Sequence, residues 1–368
     1  MKITKVESIP LLQNVSHPIS DSQYTYVIGG LLITKVYTDD GLTGFGITHF
    51  GRNESAMSTV KTVVDGVLAP IMMGRDPHYI RELRNEMFLA TNFYGTIGVA
   101  IQAIAAVDCA MWDIVGKSAG LPVALLLGAR RRAIPAYAMV GWYYEGGNKE
   151  FLEHCVAAAD EGFRAVKIKV GRYSLKDDVD RIKMVQAELG EDFTLMVDAN
   201  CIFDEQEALY RGRVYEKLGM RWFEEPIPPY MLESHRRLSE KLDIPLAIGE
   251  NHHTRHQFYE IIRNGCVSIV QPDGARAGGV TEWMDIGSIS DAAGLKLSSH
   301  GGGPGNVNVL CAIDNAIYLE SGPFKPNKGG GLYINQMSLN KDGAVEFPDV
   351  PGMGTDVSDD YIRKYRMD

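Results

Sequence analysis

Cysteine is scarce in this chain of 368 residues, and its five cysteines are scattered. They stand at Cys109, Cys155, Cys201, Cys266 and Cys311, and no two form a CxxC pair. Their spacing excludes a CxxC zinc or redox motif, and their odd number argues against a disulfide framework. Residues 1–7 alternate like a β-strand and lack the apolar core of a signal peptide. We therefore expect reduced thiols in a cytoplasmic protein.

An excess of basic residues and a membrane-length apolar run are also missing. The chain has 37 Lys and Arg against 47 Asp and Glu, and its net charge of -10 offers no basic surface for nucleic acid. The most apolar stretch, residues 97–107, is too short to span a bilayer, and Asp108 and Asp113 follow it. The sequence predicts a buried helix there, and neither nucleic acid nor a membrane as a partner.

Residues 1–125 show the pattern of a small α+β domain. An apolar run over 30–38, a turn signal at 39–41 and a second run over 42–47 predict a β-hairpin. Helical patterns follow over 54–70, 76–91 and 98–118. Strands first and helices afterwards are typical of an α+β fold.

Residues 126–340 alternate between strand and helix patterns. Eight apolar segments end near Met139, Val170, Val197, Phe223, Ile248, Val270, Ser299 and Leu319. Between two of them, residues 175–189 place apolar side chains three or four positions apart, as on one face of a helix. Eight such strands predict a closed α/β barrel of the TIM type. The turn-rich segment 341–368 lacks this repeat, and we expect it to return to the first domain.

An open, doubly wound sheet is the structural alternative to a barrel. It would need a glycine-rich phosphate-binding loop after the first strand of this region. No GxGxxG or GxxxxGK[ST] sequence stands there. The pattern therefore favours the barrel.

Three acidic residues recur at one spacing within the barrel region. Asp198, Glu224 and Glu250 lie 26 residues apart, and each closes a short apolar run. A strand, a helix and two loops need about this length, so each carboxylate should stand at the tip of a successive parallel strand. Three converging carboxylates would repel one another without a hard cation between them. The spacing predicts a divalent metal site with oxygen ligands, which suits Mg²⁺.

Two of these assignments have alternatives in the sequence. Glu225 follows Glu224 directly, and one of the pair could serve only as an ion-pair partner; we assign Glu224 because its spacing matches. His252 and His253 follow Glu250 and could build a histidine-rich transition-metal site. Adjacent residues point to opposite sides, which weakens that interpretation.

Two lysines alternate within the strand before Asp198. Lys167 and Lys169 share one face, while Val166, Ile168 and Val170 point the other way, towards the helices. In a barrel the lysine face is the interior or its mouth. Adjacent cations and a metal would lower the pKa of each lysine, and a neutral amine is a competent base.

The later strand ends carry Asp273, His300 and Glu320. Because adjacent strand tips lie close together, Asp273 should bond one imidazole nitrogen of His300 and leave the other for proton transfer. Glu320 could form a salt bridge to a lysine, or stay protonated and donate a hydrogen bond to developing negative charge.

Taken together, the chain resembles the enolase superfamily, and within it the mandelate racemase subgroup, as an acid-sugar dehydratase-like member. The resemblance covers nearly the full length. It rests on the motifs Lys167-Ile168-Lys169, Asp198 with Asn200, Glu224-Glu225-Pro226, Gly249-Glu250-Asn251, Asp273, His300 and Glu320. It implies a modified (β/α)7β barrel with an N-terminal α+β capping domain that the C-terminal tail completes.

The resemblance also implies a chemistry. Members abstract the proton α to a carboxylate, and one Mg²⁺ per subunit, or Mn²⁺ in its place, stabilises the resulting enediolate. Lys169 and His300 would face opposite sides of the substrate, Lys167 would bind its carboxylate, and Glu320 would bond the enediolate. Asp198, Glu224 and Glu250 would hold the metal.

The capping domain should select the substrate. The segment 14–29 is read as a polar loop, which suits a substrate with many hydroxyl groups. Candidate substrate-binding residues are Asn200, His17, Ser20, Tyr24, His49 and Tyr143, with Arg52, Asn53, Trp142 and Tyr144 as further possibilities. A solvated surface loop is the alternative.

These observations favour a Mg²⁺-dependent dehydratase that converts an aldonate or aldarate to a 2-keto-3-deoxy acid. The nearest alternative is a racemase, epimerase or cycloisomerase that uses the same residues on a 2-hydroxy or sugar-derived acid. A catalytically silent barrel is a further alternative, against which the complete set of catalytic residues argues. We expect a small carboxylate as the partner and a homo-oligomeric assembly.

Overall fold

The computed structural model describes residues 1–50, 55–324 and 331–367. Arg52 and Asn53 lie outside the described residues. The described chain forms an antiparallel sheet with helices at its N-terminal end and a parallel barrel after it.

Three long strands build the cap sheet: β1 Ile3–Ser20, β2 Thr25–Thr38 and β3 Thr43–Phe50. β2 and β3 pair from Tyr37 with Thr43 onwards, which confirms the predicted hairpin. The segment 14–29 differs from the predicted loop, because β1 and β2 continue through it and leave only a turn at 21–24. The register of the β1–β2 pairing shifts between Asn14 and Ile19, so the sequence shows no regular strand alternation across this stretch.

A helical layer covers the cap sheet. It consists of α1 Ser55–Val63, a π-helical turn Val64–Leu68, α2 Ala69–Met72, α3 Ile80–Thr91 and α4 Val99–Ala119, and the short α5 Val123–Leu126 then packs on the barrel core. By length and composition α4 is apolar enough to cross a membrane, but 72% of its most apolar window is buried inside the protein. The prediction of a buried helix there is confirmed.

Eight parallel strands form the barrel, and a ninth strand, β13 Ala344–Glu346, pairs antiparallel with the first of them. The barrel strands are β4 Ala133–Gly141, β6 Ala165–Lys169, β7 Thr194–Asp198, β8 Phe223–Glu224, β9 Leu246–Ile248, β10 Ile269–Val270, β11 Lys296–Ser298 and β12 Ala316–Ser321; β5 Tyr143–Tyr144 joins the edge of the cap sheet. β12 pairs with β4, so the sheet closes on itself. Closure excludes the open doubly wound sheet.

Seven helical connections join the eight strands, as a (β/α)7β barrel requires. They are α6 Gly147–Glu161, α7 Leu175–Leu189, α8 Glu205–Lys217, α9 Leu232–Lys241, α10 Thr254–Arg263, the pair α11 Gly274–Ala277 and α12 Gly279–Ala292, and α13 Pro304–Ala312. Along β6, Val166 and Ile168 join the large hydrophobic core shared with the helices, whereas Ala165 joins the small interior core. Lys167 and Lys169 share the face of Ala165, so they point into the barrel interior, as predicted.

The C-terminal segment returns to the cap. β13 Ala344–Glu346 pairs antiparallel with the start of β4, and helix α14 spans Asp359–Tyr365. Val357 and Ile362 pack in one cluster with Leu11 and Phe45 of the cap sheet. This segment thus joins the wall that the cap presents to the barrel.

A buried ion cluster holds the cap on the barrel. Arg84 of α3 lies 2.6 Å from Glu282 of α12, and Asp108 of α4 accepts a hydrogen bond of 3.0 Å from the Thr281 amide. Burial raises the pKa of Asp108 to about 6, although Arg84 opposes this effect. Removing one partner of such a buried group costs about 3–5 kcal/mol, so the cluster fixes the position of the cap.

Candidate active site

The barrel brings the predicted strand-end residues to one rim. Lys167 and Lys169 lie in β6, Asp198 ends β7 and Glu224 ends β8; Glu250, Asp273 and His300 follow β9, β10 and β11, and Glu320 lies in β12. Most of these side chains are almost completely removed from solvent. Burial of so many charges requires that they neutralise one another or bind an ion.

Three carboxylates converge as the spacing predicts. One oxygen from each of Asp198, Glu224 and Glu250 lies within 4.8 Å of the others. Glu250 Oε2 is buried and faces His300 Nε2 at 3.1 Å. Three buried carboxylates from successive strands fit a hard divalent cation.

Glu225 has a different set of partners from Glu224. It accepts hydrogen bonds of 3.0 Å from Cys201 Sγ and from the Gly249 amide. It therefore acts as a support between neighbouring loops. Among the described residues, Asp198, Glu224 and Glu250 form the one group of three or more potential ligands, and neither His252 nor His253 belongs to it.

The two lysines contact carboxylates, and the direction of their pKa shifts differs from the prediction. Lys167 Nζ lies 2.5 Å from Glu224 and also contacts Glu320, while Lys169 Nζ lies 2.5 Å from Asp198. Burial alone would lower the pKa of each lysine, but these carboxylates outweigh it and raise both. The two adjacent cations are visible in the sequence, whereas the carboxylates that face them come from other strands and meet them only in the folded barrel.

Glu320 acts as an ion-pair partner in this arrangement. Besides Lys167, it accepts 2.7 Å from the Tyr137 hydroxyl and 3.1 Å from the Gly301 amide. Burial alone would raise the pKa of Glu320, but Lys167 and His300 lower it to about 2. Of the two roles left open by the sequence, the contacts favour the salt bridge.

His300 and Asp273 form a hydrogen-bonded dyad. His300 Nδ1 lies 2.7 Å from Asp273 Oδ2, and His300 Nε2 lies 3.1 Å from Glu250 Oε2. Burial would lower the pKa of His300, but Glu250 and Asp273 favour the charged ring and raise the pKa to about 9. The dyad leaves Nε2 directed at the metal-ligand side of the rim, where a proton could be transferred.

Lys169 and His300 stand on strands that face each other across the barrel. Only β4 and β12 separate β6 from β11 on one side of the ring, and β7 to β10 separate them on the other. A cavity of about 870 Å³ opens between barrel and cap, and both residues line it. A small molecule in this cavity can meet a proton-transfer group from each side.

The cavity contains some of the predicted substrate-binding residues. Asn200 and His49 line it, and Asn200 Oδ1 is buried without a partner. The lining does not include His17, which faces a separate cleft, or Ser20, Tyr24 and Tyr143. Ser20 bonds Thr25 at 2.8 Å and Tyr143 donates to Asp178 at 3.3 Å, because their strands direct them into local contacts.

The hairpin turn at 21–24 docks on the loop after Asp198. Ser22 Oγ donates 2.6 Å to the Ala199 carbonyl, and Gln23 Nε2 donates to the Asn200 carbonyl. Asn200 and Cys201 have positive φ angles of 46° and 64°, which non-glycine residues adopt rarely. The cap thus touches a strained segment directly behind a metal ligand.

Several residues that line the cavity could not be identified as candidates in the sequence. Arg276 donates 3.2 Å to the Glu250 carbonyl, and Gln13, Gln102, Leu332 and Tyr361 line the cap side. Arg276 stands three residues after Asp273, so helical spacing could have suggested it. The other four come from distant segments that share no pattern.

The described fold and rim define a metal-assisted enzyme of the α/β-barrel class with a capping domain. Residues 150–361 match the family described as enolase C-terminal domain-like, and residues 5–128 match the N-terminal domain of mandelate racemase / muconate lactonizing enzyme. The chain belongs to this family. The predicted membership of the enolase superfamily is therefore confirmed.

Three relatives are similar over most of their length. Arabinonate dehydratase of Saccharolobus solfataricus is 34% identical over 362 residues, 95% of either chain. L-talarate/galactarate dehydratase of Salmonella typhimurium is 30% identical over 89% of this chain and 81% of its own. The 3,6-anhydro-alpha-L-galactonate cycloisomerase of Streptomyces coelicolor is 33% identical over 91% of each.

A crystal structure supports the metal assignment. A variant of L-talarate/galactarate dehydratase, liganded with Mg and L-glucarate, has a TM-score of 0.91 at 28% identity and covers 100% of this chain and 92% of its own. Together with the carboxylate triad, this identifies magnesium as the cofactor, as predicted. The ligand of that enzyme, L-glucarate, is a small carboxylate.

Proposed function

We propose that this protein is a magnesium-dependent dehydratase of a sugar acid. One observation carries the proposal: Lys169 and the His300–Asp273 dyad line one cavity from facing strands, beside three converging carboxylates. Two similar enzymes are dehydratases of sugar acids.

The side chains divide the reaction between them. Lys169 Nζ takes the proton from C2 of the bound acid, and the electron pair of that C–H bond moves towards the carboxylate. His300 Nε2 gives a proton to the 3-hydroxyl, which leaves as water when the C3–O bond breaks. The enol that remains releases the proton of its 2-hydroxyl, takes a proton at C3 and becomes the 2-keto-3-deoxy acid.

Asp198, Glu224 and Glu250 would hold the cation. When bound there, Mg²⁺ supplies positive charge that stabilises the added negative charge on the substrate carboxylate and competes with the protonated form of Lys169. Lys167 binds the same carboxylate from the side of Glu320. Asp273 fixes the tautomer of His300 so that Nε2 faces the substrate.

A cycloisomerase is the second candidate. The similarity to 3,6-anhydro-alpha-L-galactonate cycloisomerase is nearly as high as to the first dehydratase, at 33% against 34% identity. The same pair of proton-transfer groups would then break or close a ring in place of expelling water. No additional residue is needed, so the substrate decides between the two.

A panel of aldonates and aldarates tests the proposal. With Mg²⁺ we expect one or a few acids to yield a 2-keto acid, detected with semicarbazide, and we expect Lys169→Ala to prevent it. Lys176→Ala is the matched control, because Lys176 is a highly exposed lysine on α7. Solvent deuterium exchange or ring isomerisation without a keto acid would favour the cycloisomerase or racemase.

We also propose that the enzyme works in the cytosol as a homo-oligomer with a small carboxylate as its partner. All five cysteines are free thiols, as a reducing compartment would keep them. Size-exclusion chromatography with light scattering gives the assembly state, and a monomer would refute that part.

A further inference from the structure

The active-site cavity has two walls of different chemistry. Lys169, Glu250, Arg276, His300 and Glu320 line the barrel wall. The cap wall contributes Gln13, Gly29, Leu31, Gln102 and, from the C-terminal segment, Leu332 and Tyr361. The reaction takes place at the barrel wall, so the cap wall is available to the rest of the substrate.

Gln13 and Tyr361 form a polar pair on this cap wall. The Tyr361 hydroxyl lies 3.2 Å from Gln13 Oε1, to which it donates. The Gln13 amide nitrogen has no hydrogen-bond partner among the described residues. Two N–H donors and the phenolic oxygen therefore remain for a hydroxyl group, which both donates and accepts.

The C-terminal segment holds Tyr361 in place. Ser358 caps α14 by accepting from the Tyr361 amide, and Met367 donates 2.9 Å from its amide to the Pro10 carbonyl. Ile362 packs beside Leu11 in the cap cluster. Tyr361 is thus a fixed part of the wall.

Gly29 leaves space beside the pair. It stands opposite Gln13 in the register of β1 and β2. A Cβ at Gly29 would approach only the Gln13 carbonyl oxygen, at 4.0 Å. A side chain there would fit the protein and take up space at the cap wall.

Charged groups of the described lining belong to the reacting end. Arg276 Nη1 donates 3.2 Å to the Glu250 carbonyl, and Arg276 Nε lies 3.8 Å from Asp273 Oδ2. Apart from His49, whose charged neighbours are Asp273, His300 and Arg276 at the reacting end, the described residues of the cap wall offer amides, phenols and apolar atoms. Such groups suit an uncharged end that carries hydroxyl groups, and they offer a second carboxylate no counter-ion.

We propose that Gln13 and Tyr361, with the space at Gly29, form a specificity subsite for the uncharged hydroxyl end of a monocarboxylic sugar acid. The proposal rests on the proposed function and narrows its substrate class to aldonates. It makes the C-terminal segment a specificity-determining element of the cap.

Binding and turnover of aldonates with four, five and six carbons test the subsite. Tyr361→Phe removes one hydroxyl, and Gly29→Val fills the adjacent space. We expect each to weaken binding of the cognate five- or six-carbon acid by about fivefold to tenfold and to leave the four-carbon acid unchanged. Binding is measured with Mg²⁺ in the Lys169→Ala background, and kcat/KM in the otherwise native enzyme.

Tyr365→Phe is the matched control. Tyr365 lies on the same helix, with its ring 4.7 Å from that of Tyr361, and it does not line the cavity. Equal effects of the two Tyr→Phe changes would overturn the subsite, as would tighter binding of the six-carbon diacid than of the matching aldonate. Binding without keto-acid formation would refute dehydration alone, and no binding of any acid would refute both proposals.

Discussion

The barrel wall and the cap wall of the active-site cavity differ in how their side chains are held. On the barrel wall, Lys169 and Glu320 are almost fully buried and held by ion pairs, Lys169 with Asp198 and Glu320 with Lys167. On the cap wall, the Gln13 side chain is exposed and, among the described residues, accepts one hydrogen bond, from the Tyr361 hydroxyl. Groups that carry the chemistry are fixed by mutual charge, whereas this cap-wall pair is held by one neutral hydrogen bond and by the packing of the C-terminal segment.

The largest expected effect concerns the barrel wall. Lys169→Ala and His300→Ala should each reduce kcat by about a thousandfold or more, because each removes a proton-transfer group. Steady-state kinetics measures the loss, while circular dichroism and Mg²⁺ titration should show intact folding and metal binding. A double variant with full activity would refute the proton-transfer assignment.

The buried ion cluster between the cap and the barrel gives the second-largest expected effect, a loss of stability. Arg84→Met should lower the free energy of unfolding by about 3–5 kcal/mol, because Asp108 would stay buried without its counter-charge and Glu282 would keep only Arg255. Denaturant unfolding measures it. Arg81→Met is the matched control on the same helix: the Arg81 side chain is 67% exposed, and we expect less than about 1 kcal/mol. Equal losses would show that the buried cluster has no special role.

A substitution in the metal-binding triad of the barrel should give the next effect, a loss of Mg²⁺ affinity. Glu224→Gln should weaken Mg²⁺ binding by about a hundredfold, since an amide replaces a charged oxygen donor. Calorimetric titration measures the affinity, with the exposed Glu191→Gln as control. Chelation of the metal should abolish turnover. Unchanged affinity in Glu224→Gln would remove this residue from the ligand set.

The smallest effect lies in the outer helices, away from both walls. Burial lowers the pKa of His235 on α9 to about 4, and its Nε2 has no partner. The unfolded chain therefore binds a proton more readily, so this stability is present above pH 6.5 and is lost as the pH falls towards 4. The loss should reach about 2 kcal/mol between pH 7 and pH 5.

His235→Gln tests this prediction, because it keeps a polar group near the Met231 carbonyl, 3.2 Å from His235 Nδ1. Unfolding at several pH values should give a shallower acid dependence in the variant than in the native protein. Parallel curves would assign the acid sensitivity to other groups.

Residues of the barrel wall could be predicted from the sequence because the barrel repeats. The spacing from Asp198 to Glu250 and the alternation in Lys167-Ile168-Lys169 both follow from strand geometry. The direction of the lysine pKa shifts could not be predicted, because it depends on carboxylates that stand at four other strands.

The cap wall could not be predicted in the same way. Tyr361 and Gln13 are separated by 348 positions and meet only in the folded chain. The polar segment 14–29 indicated substrate contact, and Gln23 of that segment does line the cavity, but strand pairing turned Ser20 away from it. The polar composition of segment 14–29 indicated that this wall is polar, but it did not identify which residues line the cavity.

The docked hairpin turn has a consequence for how such a protein can diverge. Ser22 and Gln23 both bond to main-chain carbonyls, those of Ala199 and Asn200. Every amino acid supplies a main-chain carbonyl, so substitutions at 199 and 200 that preserve the backbone would not remove these two hydrogen bonds. New substrate preferences can then arise on this side of the barrel without loss of the contact that holds the cap on it.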